Sequence, residues 1–144
     1  MRCFFKDKAL GLKMEADILR SIQYKYPLAH QILGDHKEYD LYVPEVNVKV
    51  EVKSDQQAID TGNFIVEIEM YGKKSGLMTT TADFWAFSDG TNVFWVRTID
   101  LKDLIVWRGV RAINNIGDGK GRVYIIPVSE IEKIASSAQK LITT

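Results

Sequence analysis

The chain has 144 residues, 46% of them apolar and 26% charged, a balance expected of one soluble globular domain with a real core. Nineteen basic residues match nineteen acidic ones, so no global field draws in a nucleic acid, and any such partner must be held by a local basic patch. The single cysteine, Cys3, excludes an internal disulfide and a cysteine-based zinc site; no apolar run reaches the roughly 18–20 residues of a membrane span, and MRCFFKDKALGL is too charged for a secretory leader.

The segment from about Asp7 to Tyr26 reads as a helix. Ile18, Leu19, Ile22 and Tyr26 form an apolar stripe at helical spacing, and Pro27 ends it. Extending the stripe backward lands on Glu15, whose carboxylate then points toward the core or a cleft; a surface glutamate is the plain alternative. A loop near LGDHKE follows. His30 and His36 flank it without metal-site spacing, so both read as loop or surface positions. Two alternating strands come next, at about 39–43 and 46–53, and FIVEIEM (64–70) makes a third. YGKKSG reads as a basic, glycine-punctuated loop and LMTTTADF as a short helix. FWAFSDGTNVFWVRT reads as a hairpin with Asp89-Gly90 in the turn. DLKDLIVW reads as a helix capped by Asp100. INNIGDGKGR reads as a turn-rich loop and VYIIPV as a strand. SEIEKIASSAQKLI closes the chain as a helix, with Ser129 and Glu132 spaced as a capping box. The simplest assembly is one α+β domain over residues 1–144, α/β/α-like, with a mixed central sheet flanked by helices.

The two strands around PEVN carry the chemistry. Period 2 puts Val46, Val48, Val50 and Val52 on one face, and Asn47, Lys49, Glu51 and Lys53 on the other. Pairing Val43 with Val48 sets Leu41 against Val50 and Tyr42 against Lys49. It also sets Asp40 against Glu51. A slip of one residue destroys every apolar match, so the pattern selects this register. Opposed side chains have Cβ atoms roughly 4.5–5.5 Å apart, and two like charges there destabilise a sheet unless something lies between them. A hard divalent cation such as Mg2+ meets that need. Lys53, on the face of Glu51, is then placed to touch an attacking water or a phosphate. A merely solvated strand face also shows alternating Lys and Glu.

Asp40 followed by Glu51-Val52-Lys53 at a strand end resembles the PD-(D/E)XK nuclease motif, with Tyr39 where the motif's name has proline. Glu15 on the preceding helix is similar to the helical glutamate of archaeal Holliday junction resolvases and related phage nucleases. The resemblance covers about Gly11 to Lys53 and continues loosely through SGLMTTTADFWAF. It implies a restriction-endonuclease-like core, with Asp40, Glu51 and the backbone carbonyl of Val52 as Mg2+ ligands and Mn2+ as a substitute. It further implies that Lys53 serves the nucleophile and that Glu15 completes or tunes the site. The function it implies is hydrolysis of DNA, in branched or structured form, by a homodimer in the cytoplasm of a prokaryotic or phage-infected cell. A module of the same fold that binds DNA or a protein without cutting is the alternative.

The remaining features are weaker. Glu67 and Glu69 share a strand face and read as its wet side. Asp83 reads as a cap or hydrogen-bonding anchor. GDGKGR lacks the Gly-Lys-Ser/Thr of a phosphate loop. Lys73 and Lys74 in one loop, and Arg108, Arg111, Lys120 and Arg122 around another, are candidates for a phosphate-binding stripe, or else ordinary solvated loops. Trp85, Trp95 and Trp107 stack bases, line a dimer contact or pack the core, with the core expected for at least two.

Overall fold

The computed structural model describes the backbone of residues 4–34, 37–116 and 121–143 and the side chains of 11–34, 37–114 and 121–135. His36 and the first four residues of GDGKGR, 117–120, which include Lys120, lie outside the described residues. In chain order, helix α1 (Phe4–Gln23) leads into strands β1 (His30–Gln31), β2 (Leu41–Val43) and β3 (Val48–Ser54). A crossover follows, made of α2 (Ala58–Thr61), β4 (Asn63–Met70), β5 (Lys73–Lys74) and a 3-10 turn over Gly76–Met78. The chain then forms β6 (Phe84–Ser88), β7 (Val93–Arg97), α3 (Thr98–Arg108), β8 (Ile113–Ile116), β9 (Gly121–Pro127) and α4 (Val128–Thr143).

The valine alternation places β3 in the middle of a five-stranded sheet, ordered β1-β2-β3-β6-β7. Its pairs are antiparallel except for the parallel β3 and β6, so the sheet is mixed, as expected. The structure adds a second, antiparallel sheet, ordered β5-β4-β9-β8. The parallel β3–β6 pair requires a long crossover, and here that crossover supplies two of the second sheet's strands.

Each face of the mixed sheet covers its own core. On one face, Ile18 and Ile22 of α1 pack with Leu41, Val43, Val50, Val52, Phe84, Ala86 and Trp95. This is the predicted stripe, and Leu19 and Tyr26 flank it. On the other face, Trp85, Phe87 and Val96 meet Phe64, Val66, Ile68 and Ile126 of the second sheet, with Leu101, Ile105, Ile131 and Ala135 from α3 and α4. Burying each large apolar side chain contributes about 1.5–3 kcal/mol, so this second core holds the crossover against the sheet.

Several local expectations change. Helix α1 ends at Gln23; Lys25 and Tyr26 then donate back to the carbonyl of Ile22, and the Gln23 amide caps the turn on the Ala29 carbonyl at 2.9 Å. Lys73 and Lys74 form an edge strand, because residues 71–72 turn the chain back onto β4. Only the 3-10 turn of LMTTTADF is helical. Gly76 there has φ +54, and an added Cβ would sit 2.1 Å from the Glu67 carbonyl oxygen, so only glycine lets the turn dock on β4. Helix α3 starts at Thr98, which puts Asp100 inside its first turn. Asp100 bonds Arg97 at 2.7 Å and makes no cap. Helix α4 starts at Val128, so Ser129 lies within it and does not precede it. Residues 113–116 pair with β9 as a strand, where a loop was expected.

Candidate active site

The hairpin register is the one the valines select: Val43 pairs with Val48, Tyr42 with Lys49 and Leu41 with Val50. The regular ladder stops there, so Asp40 and Glu51 are not its next pair. The Asp40 N–H donates to the Val50 carbonyl at 2.9 Å, and the Asp40 carbonyl accepts from Ile32 N–H at 2.8 Å. The Asp40 carboxylate takes over the ladder's role beyond that point: its Oδ2 accepts the Val52 N–H at 2.7 Å. Asp40 is only 6% exposed. The hydrogen bond therefore fixes the carboxylate beside β3 and satisfies an amide that the shortened β2 leaves without a backbone partner.

The free oxygen, Oδ1, faces the ammonium of Lys37, with Nζ at 3.0 Å. The same Nζ lies 3.7 Å from Oε2 of Glu15, which α1 delivers one turn before Ile18. Glu51 shares the β3 face that carries Lys49 and Lys53, and it lies beside Trp85 in the parallel register. The charges of Asp40 and Glu15 act on it, so three carboxylates and two lysines share one electrostatic cluster. Burial first, and then the charge of Asp40, raise the Glu51 carboxyl to about 7, with Lys53 and Lys37 pulling the other way. Burial and then Asp40 also raise Glu15, against the pull of Lys37. For Lys37, burial alone acts downward, but its bond to Asp40 and the charges of Asp40, Glu15 and Glu51 raise it. The cluster has more negative charge than it neutralises.

The other expected groups are placed as follows. Val52 is buried, and its N–H is committed to Asp40. Lys53 makes no salt bridge among the described residues, and its charge acts on the neighbouring Glu51. The Trp85 indole N–H is buried without a hydrogen-bond partner among the described residues. Asp83 is an anchor: its carboxylate accepts Lys49 N–H at 2.9 Å, and its own N–H donates to the Lys49 carbonyl at 2.8 Å. Lys37 was missed by sequence reasoning. The only local signal for it is a Lys-x-x-Asp spacing.

The donor set suits a hard cation, being all carboxylate oxygen. Two of the three carboxylates are raised, by burial first and then by the charge of Asp40. Among the described residues, however, no three His, Cys, Asp or Glu side chains already converge as a metal cage. The ammonium of Lys37 supplies positive charge between two of them.

The basic candidates lie on the second sheet and beside it. Lys74 pairs with Glu69 across β4 and β5, and Glu69 pairs with Arg122 across β4 and β9. Arg122 Nη1 is 3.2 Å from Glu69 Oε2, so this row alternates in sign. Lys73 and Arg111 are exposed, and Arg108 pairs with Glu130. Trp85 and Trp95 are core residues, whereas Trp107 is 88% exposed. His30 is exposed, with its ring edge-on to Tyr42.

No helix among the described residues is long and apolar enough to cross a membrane. Comparison with protein-family models, with curated proteins and with solved structures gives no match for this chain.

Proposed function

We propose that this protein is a Mg2+-dependent deoxyribonuclease of the PD-(D/E)XK kind, acting on branched or structured DNA. One observation carries the reading. Asp40, Glu51 and Glu15 come from three separate elements into one under-neutralised cluster, with Lys53 on the strand face of Glu51. A structural charge network of this size is ordinarily balanced, because unpaired buried charge is costly.

In this reading Asp40 and Glu51 hold the ion, with the Val52 carbonyl, and Mn2+ substitutes for Mg2+. The ion supplies Lewis-acid polarisation of the scissile phosphate. The Val52 N–H holds the Asp40 carboxylate in place through Oδ2. Lys53 orients the attacking water and offsets charge developing on the phosphate. Glu15 adds negative charge that favours cation binding. Lys73, Lys74, Arg111 and Arg122, with Lys120, are the phosphate contacts outside the site; the contribution of Arg122 is reduced by Glu69. Symmetric cutting of a branched substrate needs two such sites, and hence a homodimer.

The test is cleavage of plasmid and of four-way-junction DNA in Mg2+ by wild type, Glu51→Ala and Lys53→Ala. Both substitutions are expected to lower the rate by about 10²-fold or more while leaving the fold intact. Wild-type activity in both variants would sink the proposal. One observation favours the rival reading, a module that binds DNA or a protein without cutting. The ammonium of Lys37 already offsets charge on Asp40 and Glu15 with no metal needed. That reading requires retention of DNA without cleavage in any divalent metal.

A further inference from the structure

Lys37 touches two of the three carboxylates of the proposed site. Its Nζ is 3.0 Å from Asp40 Oδ1, where the two side chains are 27% and 8% exposed. It is 3.7 Å from Glu15 Oε2, on a side chain 15% exposed. The other Asp40 oxygen accepts the Val52 N–H at 2.7 Å. Oδ1 is the Asp40 oxygen without that amide bond, and a cation that approaches it meets the Lys37 ammonium already seated there. Two cations on one carboxylate oxygen repel across a few ångströms of partly buried space.

We infer that Lys37 is a tethered cation that stands in the divalent ion's place, and that the ion binds by displacing its ammonium from Asp40 Oδ1. This rests on the metal-dependent reading above. Lys37 thus acts as a positioning residue. Without the ion it holds Asp40 and Glu15 together, and on ion binding its ammonium is released at the site. The lysine stem is long and flexible, so the exchange needs only side-chain rotation. If the pair is closed about nine-tenths of the time, the apparent ion affinity falls about tenfold.

The test is calorimetric titration of the full-length chain with Mn2+, in the absence of DNA. Lys37→Met, which keeps the stem and removes the charge, is expected to bind Mn2+ about tenfold more tightly than wild type. Lys37→Arg keeps the charge and is expected to stay within about threefold of wild type. Lys49→Met removes a nearby charge that lies over the Tyr39 ring, and is expected to leave the affinity unchanged. Asp40→Asn is expected to abolish binding. If Asp40→Asn abolishes binding but Lys37→Met binds no more tightly than wild type, the Lys37 inference is overturned and the metal site stands. An equal gain in Lys49→Met also overturns it, because unspecific charge then suffices. Absence of Mn2+ binding in both wild type and Lys37→Met overturns the inference and the metal-dependent reading together. Lys37→Gln serves as a second charge-removing variant should Lys37→Met fail to fold.

Discussion

Glu51 gives a quantitative handle on the site. Its carboxyl rises from 4.5 to about 7 because it is buried and faces Asp40. At about 1.4 kcal/mol for each tenfold change in proton affinity, holding it ionised in the folded chain costs about 3 kcal/mol. The direction with pH follows from proton counts. Between 4.5 and about 7 the folded state keeps a proton that the unfolded chain has released. Stability is therefore greatest below that window, declines as pH rises through it and levels off above. Glu15 is also raised and adds to the decline. Glu51→Gln removes the larger part. At pH 8 and in EDTA it is expected to stabilise the protein by about 1–3 kcal/mol, the lower figure applying if the amide lacks good partners. For a chain of this size that is a rise of roughly 3–10 °C in Tm. Below about pH 4 the two proteins are expected to melt within about 1 °C of each other, because Glu51 then holds its proton in both the folded and the unfolded wild-type chain. Saturating Mg2+ at pH 8 is expected to raise the wild-type Tm more than that of Glu51→Gln. Thermal melts followed by circular dichroism at about pH 4, 6 and 8 decide the matter. A Tm difference that does not change with pH, or a variant less stable at pH 8, refutes the electrostatic account of the cluster.

The other expectations concern stability. Gly76→Ala forces a Cβ against the Glu67 carbonyl at positive φ; it is expected to cost about 3 kcal/mol or more in chemical denaturation. A cost under about 1 kcal/mol means that the turn reorganises cheaply. Asp40→Ala leaves the buried Val52 N–H without an acceptor, an expected loss of about 1–3 kcal/mol. It is best measured near pH 5, where a neutral Glu51 offers little relief of repulsion to offset it. Trp85→Ala is expected to cost about 3–5 kcal/mol, and Trp107→Ala less than about 0.5 kcal/mol, because the first side chain is fully buried and the second almost fully exposed. Equal losses contradict the assigned layers.

What could be read from the sequence was what depends on near neighbours in the chain. Valines two apart, joined to Leu41 and Val43 by a four-residue turn, leave one register that matches apolar to apolar, and the hairpin has it from Val48 on; Val46 lies in the turn and is exposed. The turn at Asp89-Gly90 and the stripe Ile18, Leu19, Ile22, Tyr26 are equally local, and both are present. The second sheet was not legible, because β4 and β9 pair across nearly the whole second half of the chain and nothing within either strand names its partner. The failed caps have a similar cause. Asp100 and Ser129 have cap chemistry, but the helices begin two residues and one residue earlier, where β7 and β9 run directly into them.

The site divides along the same line. Period 2 brings the Asp40 segment alongside Glu51, and the structure keeps that closeness while altering its form. A regular ladder extended by one pair would have placed the two carboxylates face to face. Instead the ladder ends, and Asp40 turns one oxygen onto the Val52 amide. Oδ1, which has no such amide bond, faces the Lys37 ammonium. The repulsion inferred from the hairpin demanded a cation, and a metal was the cation that the sequence suggested. The folded chain also offers its own, Lys37, from a loop whose return path no periodicity encodes. Lys37 alone does not balance Glu15 and Asp40 together with Glu51, whose carboxyl is raised by burial first and then by the charge of Asp40. In the proposed reading, the divalent ion takes the place of the Lys37 ammonium on Asp40 Oδ1 and meets the negative charge that one lysine leaves unbalanced.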